Sequence, residues 1–394
     1  MMIFKSRPED FVVKEILKVP LKPCGPYAIY RLTKRGISTL QAHVRVASAL
    51  GVKPSAITFP GLKDKKAIAS QFFSLQGNGP EEIKGPGFSA RLAGFFHRHL
   101  GPEDILANEF VITLRLVPRD AVQAIEEAIS RVKEDGLPNY FDRQRFASLG
   151  PDGQFPGKKI LQRDAEGALK LYLTCPSPLD PPHYRAFKEK AQELWGRWDE
   201  LLKEAPSPSN FRSVLTYLKD HPAGFRRALN LVTLRVLTLF LSSYQSWLWN
   251  RLAGRFLREK LEARSLPYKE LEIAGEKLPF YGYLPEELRE ELKGVSLPFF
   301  HHRADFGSSE ISRLAQEILE EEGLKLRDFK ARILDKAYLS RGERKLLFFP
   351  DVLSYAVEDD ELNPGALKLK LELRLPPGSY ATLVVKAVAL KALG

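Results

Sequence analysis

One acid stands among three lysines in the stretch FPGLKDKKAIASQ, residues 59–71. Asp64 is flanked by Lys63, Lys65 and Lys66, behind a Pro-Gly turn and ahead of an apolar run. A carboxylate at the exit of a strand and a turn is held by a scaffold and still free to meet a ligand. Neighbouring ammonium groups favour its ionised form and attract phosphate. An ionised carboxylate so placed can serve as a nucleophile or as a base. A run of charge is equally the solvated face of a turn, and these residues alone do not choose between the two.

A second stretch, LPNYFDRQRF at residues 137–146, alternates rings with amide and guanidinium groups: Asn139, Tyr140, Phe141, Gln144, Arg145, Phe146. A nucleobase taken out of its stack needs a flat surface, donors and acceptors for its edge, and cations for the flanking phosphates. The same spacing of aromatics also describes a buried strand, so core and site stay open here. Near the start, FKSRPEDFVVKEIL sets Lys5, Glu9 and Phe11 around a Pro-initiated turn that leads into a strand-like FVVKEI; an ordinary hairpin with exposed charge reads the same way.

Other chemistries fail on nameable residues. A phosphate loop at DGQFPGKK lacks the required Gly, replaced by Asp152, and the Ser or Thr that should follow the Lys, replaced by Lys159. His97 with His99, and His301 with His302, lack the i, i+4 spacing of helical metal ligands, and Gly-x-Ser-x-Gly is absent. The cysteines, Cys24 and Cys175, form no metal or redox spacing. Neither metal nor cofactor is therefore expected. A metal-dependent nuclease would want converging carboxylates, and Asp64 has none in its own motif.

The elements that must position these groups follow from periodicity. EFVITLRLV puts Phe110, Ile112, Leu114 and Leu116 on one face, and ALKLKLELRLP does the same with Leu367, Leu369, Leu371, Leu373 and Leu375; both read as half-buried antiparallel strands. YAIYRLTK is a further strand. STLQAHVRVASALG is a helix closed by Gly51, and RDAVQAIEEAISRVKEDG a helix with Asp120 as N-cap and Gly136 beyond its end. From about Pro151 to Ser340 charged helical patterns dominate, among them HYRAFKEKAQELWGRWDELLKEA. Strand-like alternation then returns in KLLFFPDVLSYAV, the leucine strand and SYATLVVKAVAL. The expected architecture is α+β: a discontinuous domain from residues 1–150 and 341–394, interrupted by a helix-rich domain over 151–340.

Composition agrees with a polyanionic partner. The chain has 394 residues, 44% of them hydrophobic, enough for more than one core. Its 60 Lys and Arg outnumber 49 Asp and Glu, leaving a formal charge of +11, which suits nucleic acid. The start, MMIFKSRPEDF, carries no apolar targeting stretch, and no run is long enough to span a bilayer. No membrane association and a cytoplasmic location are expected.

Taken in order, these stretches resemble the TruD family of tRNA pseudouridine synthases. KSRPEDFVVKE is similar to the family's opening motif, GLKDKKAIASQ to its Gly-x-Lys-Asp-Lys-x-Ala motif, LANEF to Gly-Asn-x-Phe, and PNYFDRQRF to Asn-Tyr-Phe-Gly-x-Gln-Arg-Phe. YQSWLWNRL and LPPGSYATLVVK resemble patterns of the inserted domain and the C-terminus, so the match runs from Lys5 to Lys386. Asp142, Ala147 and Ala107 stand where the family usually has Gly, and FFHRHLGPED matches its basic segment poorly.

The resemblance implies a pseudouridine synthase catalytic domain with a mixed, largely antiparallel sheet and an inserted TRUD domain. It implies isomerisation of a tRNA uridine in the D-arm, at position thirteen, without cofactor. Asp64 would be the catalytic aspartate, attacking C1′ or taking the 2′ proton. Lys5 would be its cation, Phe11 a substrate contact, Asn139 a group orienting Asp64 or the uracil, Phe141 the stacking ring, and Tyr380 a further aromatic contact. A non-catalytic RNA-binding or RNA-chaperone protein with the same fold is the alternative.

Overall fold

The computed structural model describes residues 3–177 and 180–393. The chain divides into two compact units, one made of residues 1–137 and 348–394, the other of residues 138–347. The sequence pattern set the changes of domain at 150/151 and 340/341; the NYFDRQRF stretch and Arg344, which bond to each other, both fall in the second unit.

The first unit is built on a ten-stranded sheet. Its strands are β1 Ile3–Phe4, β2 Phe11–Leu17, β3 Tyr27–Arg35, β4 Ile57–Thr58, β5 Ile68–Gln76, β6 Glu82–Gly85, β7 Phe88–Phe96 and β8 Ile105–Val117, joined by Asp351–Asp359 and Leu367–Leu375 from the far end of the chain. The order runs 351–359, 367–375, β8, β2, β5, β3, β7, β6, with β1 on β8 and β4 on β5. Every pairing named here is antiparallel except β2 with β5. The sheet is therefore mixed and largely antiparallel.

Alternation explains the central strands. Leu367, Leu369, Leu371, Leu373 and Leu375 are all buried, as a half-buried strand requires. Helix α1, Thr39–Leu50, forms where Ser38 Oγ accepts from Gln41 N while Gln41 Oε1 accepts from Ser38 N at 2.9 Å, and it ends at Gly51, whose φ of 65° favours glycine. Its apolar stripe, Ala42, Val46 and Ala47, packs with Tyr30, Leu32 and Phe73 of the sheet. Helix α2, Val122–Asp135, packs on the last helix, Ala381–Leu393.

That last helix corrects the strand expected in SYATLVVKAVAL. Ala381, Leu383, Val384, Val385, Ala387 and Val388 are all buried, so the segment is apolar on most sides, and a short apolar run of that kind does not distinguish strand from helix. Asp120 does not cap α2 either: it lies in a 3₁₀ turn, Arg119–Ala121, and Ala121 is the N-cap.

A third correction concerns β8. Leu116 takes φ 55° and the alternation slips there, so that Arg115 and Val117 turn inward in its place. The cause is electrostatic. Arg115 is 1% exposed; its Nη2 lies 2.7 Å from Asp10 Oδ1 and its Nη1 2.6 Å from Asp360 Oδ1, while Leu116 N–H donates to Asp360 Oδ2 at 3.2 Å. Glu361, at 3.0 Å, completes the set, and these carboxylates raise the guanidinium's pKa.

The second unit is helical around a long central helix, Leu234–Glu262, which buries Tyr244, Leu248, Trp249 and Leu252. The charged pattern at 182–204 is two helices, Pro182–Glu193 and Trp198–Glu204, separated by Gly196 with φ 90°. A hairpin of Tyr268–Ile273 with Glu276–Tyr281 stands in the region where strand signals are sparse; Ala274 and Gly275 both take positive φ in its two-residue turn. No helix among the described residues is long and apolar enough to cross a membrane.

Replacing Arg115 with Met leaves Asp360 buried without its cation and Asp10 with only the more distant Arg7, 3.4 Å away. Such a change is expected to cost about 3–5 kcal/mol, read as a lowered urea midpoint at unchanged m-value.

Candidate active site

The loop carrying Asp64 is pinned from below by a buried ion pair. Register sets Glu15 of β2 opposite Asn108 of β8. Glu15, 1% exposed, accepts from Phe72 N–H at 2.8 Å and from Lys63 Nζ at 2.9 Å, and Lys63 Nζ also donates to Asn108 Oδ1 at 2.7 Å. Lys63 N–H donates to Thr39 Oγ1 at 2.9 Å, and that hydroxyl donates to Gln71 Oε1 at 3.0 Å. Lys63, read from sequence as one of three phosphate-facing lysines, therefore points inward; Lys65 and Lys66 are exposed. A buried carboxylate beneath the loop, Glu15, supplies the reason.

Lys34 holds the same loop from another strand. Its side chain is fully buried and donates to Ile37 O at 2.9 Å and to the backbone carbonyl of Asp64 at 2.5 Å. Burial lowers its pKa to about 8, although the Asp64 carboxylate acts the other way and Lys63 adds to the lowering. With its backbone fixed by Lys34 and its predecessor by Glu15, Asp64 turns its side chain outward, 18% exposed.

There the carboxylate meets Lys5, whose Nζ lies 2.6 Å from Asp64 Oδ2. Lys5 follows the short β1 and takes φ 63°, a conformation that side chains other than glycine's rarely adopt. The turn swings its ammonium 3.9 Å from the centroid of the Phe11 ring, a cation–π contact, and Phe11 packs edge-on against Phe110 at 5.8 Å. Phe11 is 5% exposed. Lys5, Phe11 and Asp64 thus form one connected group within the first unit.

Asn139 and Phe141 lie in the second unit. Arg344 donates through Nε to Asn139 O at 2.7 Å and through Nη2 to Asn139 Oδ1 at 2.6 Å, while Asn139 Nδ2 donates to Lys345 O at 3.1 Å. The guanidinium carbon of Arg344 stands 4.2 Å from the Phe141 ring centroid, with Trp249 edge-on at 5.8 Å and Phe299 at 6.2 Å. Asn250 clamps the Phe141 backbone: its Oδ1 accepts from Phe141 N–H and its Nδ2 donates to Phe141 O, each at 2.8 Å. Tyr380, half-buried, immediately precedes the last helix of the first unit.

Sequence reasoning missed Lys34, Glu15, Asn250 and Arg344 as members of these clusters. Lys34 carried a signal: in YAIYRLTK it falls on the alternation of Ala28, Tyr30 and Leu32, where an apolar residue belongs. Glu15 carried a comparable one between Val13 and Leu17. Arg344 carried none, and Asn250 only its place in YQSWLWNRL, since their partners lie 205 and 109 residues away in the chain.

The family model for tRNA pseudouridine synthase D (TruD) matches residues 1–388. The chain is 33% identical over 396 residues to a probable tRNA pseudouridine synthase D 1 of Methanococcus maripaludis, covering 98% of this chain and 99% of that one. It is 29% identical over 388 residues to the tRNA pseudouridine synthase D of Aquifex aeolicus, covering 97% and 96%. The crystal structure of a putative tRNA pseudouridine synthase D from Methanosarcina mazei shares the fold, with a TM-score of 0.69 at 24% identity over 98% of this chain and 92% of that one. The family model and the relatives define the class of protein as pseudouridine synthase. The chain belongs to the TruD family of tRNA pseudouridine synthases, which are isomerases.

Two outcomes follow from the loop's supports. Lys63→Met leaves Glu15 buried without its cation and is expected to cost about 3–5 kcal/mol, whereas Lys65→Met and Lys66→Met should stay within about 0.5 kcal/mol; urea denaturation separates them. Lys34 has a folded pKa of about 8 against an ordinary 10.5, so between those values the unfolded chain binds more protons and stability rises with pH. Relative to Lys34→Met, the wild type should hold a constant difference below about pH 8 and gain stability from there to about 10.5, measured as denaturation midpoints across that range.

Proposed function

We propose that this chain isomerises a uridine of the tRNA D-arm, at position thirteen, to pseudouridine, with Asp64 as the catalytic carboxylate. The first unit is its catalytic domain and the second the inserted TRUD domain. The observation that carries this reading is the state of Asp64: alone in its lysine run it keeps an outward, partly exposed carboxylate paired with Lys5, while Lys63 and Lys34 are turned inward to hold its loop.

The reaction breaks the N1–C1′ bond, turns the uracil, and joins C5 to the same C1′; C5 loses its proton and N1 gains one, so no atoms and no electrons are exchanged with a cofactor. An ionised carboxylate beside the sugar serves this whether it adds to C1′ or removes the 2′ proton. Lys5 offsets the cost of keeping that charge out of bulk water. Its strained backbone and its place over Phe11 make it a cation that holds Asp64 until a substrate phosphate or sugar takes over its contacts. Phe11 then offers the substrate the ring face that Lys5 covers. Asn139, fixed by Arg344 and Lys345, presents its amide to the uracil edge. Phe141, clamped by Asn250 and Trp249, carries the planar guanidinium of Arg344 on its face, and the two form the layer on which the base stacks. Tyr380 adds an aromatic contact.

Release of tritium from C5-labelled uridine in unmodified tRNA tests the reading. Wild type should release it, and Asp64→Asn should lose on the order of 10³-fold or more in rate while retaining tRNA binding. Tight, salt-sensitive binding by both proteins without release from either would transfer the function to RNA binding alone.

A further inference from the structure

The second unit carries two populations of cations. Four on and around the long helix are neutralised: Arg251 pairs with Glu322 at 2.6 Å, Arg255 with Glu321 at 2.6 Å, Arg258 with Glu270 at 2.9 Å, and Arg313 with Glu259 at 2.7 Å. Arg303, Lys330 and Arg341, by contrast, take part in no ion pair among the described residues, and all three are exposed.

The fold gathers these unpaired cations. Gln245, buried on the long helix, donates through Nε2 to Phe300 O at 2.9 Å and to Ser340 O at 2.8 Å, and Phe299 N–H donates to Gly342 O at 2.9 Å. These bonds bring the His301 turn against Arg341. The Phe300 ring stands 6.1 Å from that of Phe329, which brings in Lys330. His301 and His302 have ring centroids 4.1 Å apart. Burial, with the charges of Arg303 and Arg341 beside His301 and of Arg303 and Lys330 beside His302, lowers both imidazole pKa values. Nearby acids are tied into turns: Asp305 Oδ1 accepts from Gly307 N–H at 2.9 Å and Asp328 Oδ2 from Lys325 N–H at 2.9 Å. The buried Nδ1 of His302 has no hydrogen-bond partner. Three residues before Arg341, Tyr338 is 73% exposed, more than any other large apolar side chain among the described residues.

We propose that His301, His302, Arg303, Lys330, Arg341 and Tyr338 form an RNA-binding surface of the second unit, the cations holding backbone phosphates and the tyrosine stacking on an unpaired base. Clustered cations that no acid pairs carry a repulsion that phosphodiester oxygens relieve, and an exposed ring three residues along the chain from one of them is of the kind that single-stranded or looped RNA uses for stacking. The proposal rests on the reading that the substrate is tRNA, and it adds where this unit grips it.

The test compares the full-length wild type with the triple variant Arg303→Ala, Lys330→Ala, Arg341→Ala, and with Tyr338→Ala. Equilibrium binding to unmodified tRNA is measured at several salt concentrations, alongside tritium release at saturating tRNA. The triple variant should bind more weakly, with the slope of log affinity against log salt reduced by about three, one for each phosphate no longer neutralised. Tyr338→Ala should bind about tenfold more weakly at unchanged slope. Both should raise KM and leave kcat unchanged, and restoring charge with Arg303→Lys and Arg341→Lys should keep the slope. Wild-type affinity and slope in both variants would overturn the proposal, as would a loss of kcat at unchanged KM. The binding measurement does not depend on turnover, so a wild type that released no tritium would count against the assigned reaction and leave this surface to be judged by the salt slopes.

Discussion

A buried carboxylate in the middle of a strand sets the geometry on which the candidate site depends. Glu15 sits where three strands meet, β2, β5 and β8, and takes one hydrogen bond from the β5 backbone and one ion pair from Lys63. An unpaired charge at that depth would be strongly destabilising, so the loop bearing Lys63 has little freedom to leave. Asp64 inherits its position from this demand. Being next in the chain, it is turned away from Glu15 and Asn108, and the buried Lys34 takes its carbonyl. An outward carboxylate supported on two inward ammonium groups is a consequence of packing before it is a feature of chemistry.

Lys5 differs from those two lysines in kind. Lys63 and Lys34 are each held by two acceptors, whereas Lys5 hangs on a two-residue strand, holds a left-handed backbone, and is 21% exposed. Fixed supports and one displaceable partner make a site that is preorganised without being blocked. The second unit shows a similar economy at Phe141, whose backbone is bridged by the Asn250 amide in place of a neighbouring strand. A helix thereby supplies the hydrogen bonds that an isolated extended segment would otherwise leave unmade.

Local signals carried much of this. The leucine strand, α1 with its Ser38 and Gly51 caps, and the return of strand pattern near residue 351 were legible because their periodicity and capping chemistry are contained within a dozen residues. Elements whose logic is long-range were not. Leu116 fits the alternation of its own strand and leaves it only because Asp360 waits across the sheet for Arg115. The last helix is apolar on most sides, which erases the difference between a period of two and one of 3.6. At the candidate site, the motif around Asp64 was visible, and so was the part Lys5 would take; the inward turn of Lys63 was not, since a lysine in a charged run reads as solvated until its buried partner is located. The hairpin at 268–281 was overlooked for its polar strands, although Ala274-Gly275 is a turn signal.

The salt bridge between Arg115 and Asp360 spans 245 residues of chain, and that distance has a meaning in time. A ribosome delivers β8 long before it delivers Leu367–Leu375, the strand that covers β8 on the side away from β2. Until then the nascent sheet ends in an open thirteen-residue edge with a buried-type arginine lacking two of its three acids, Asp360 and Glu361. The helical unit between them, a compact unit of its own, is synthesised in the interval. The sheet cannot close before Leu367–Leu375 arrives, and a chain stalled or cut before residue 351 presents an edge suited to pairing with other copies. Quality control has a simple criterion to read: only a finished polypeptide hides that strand.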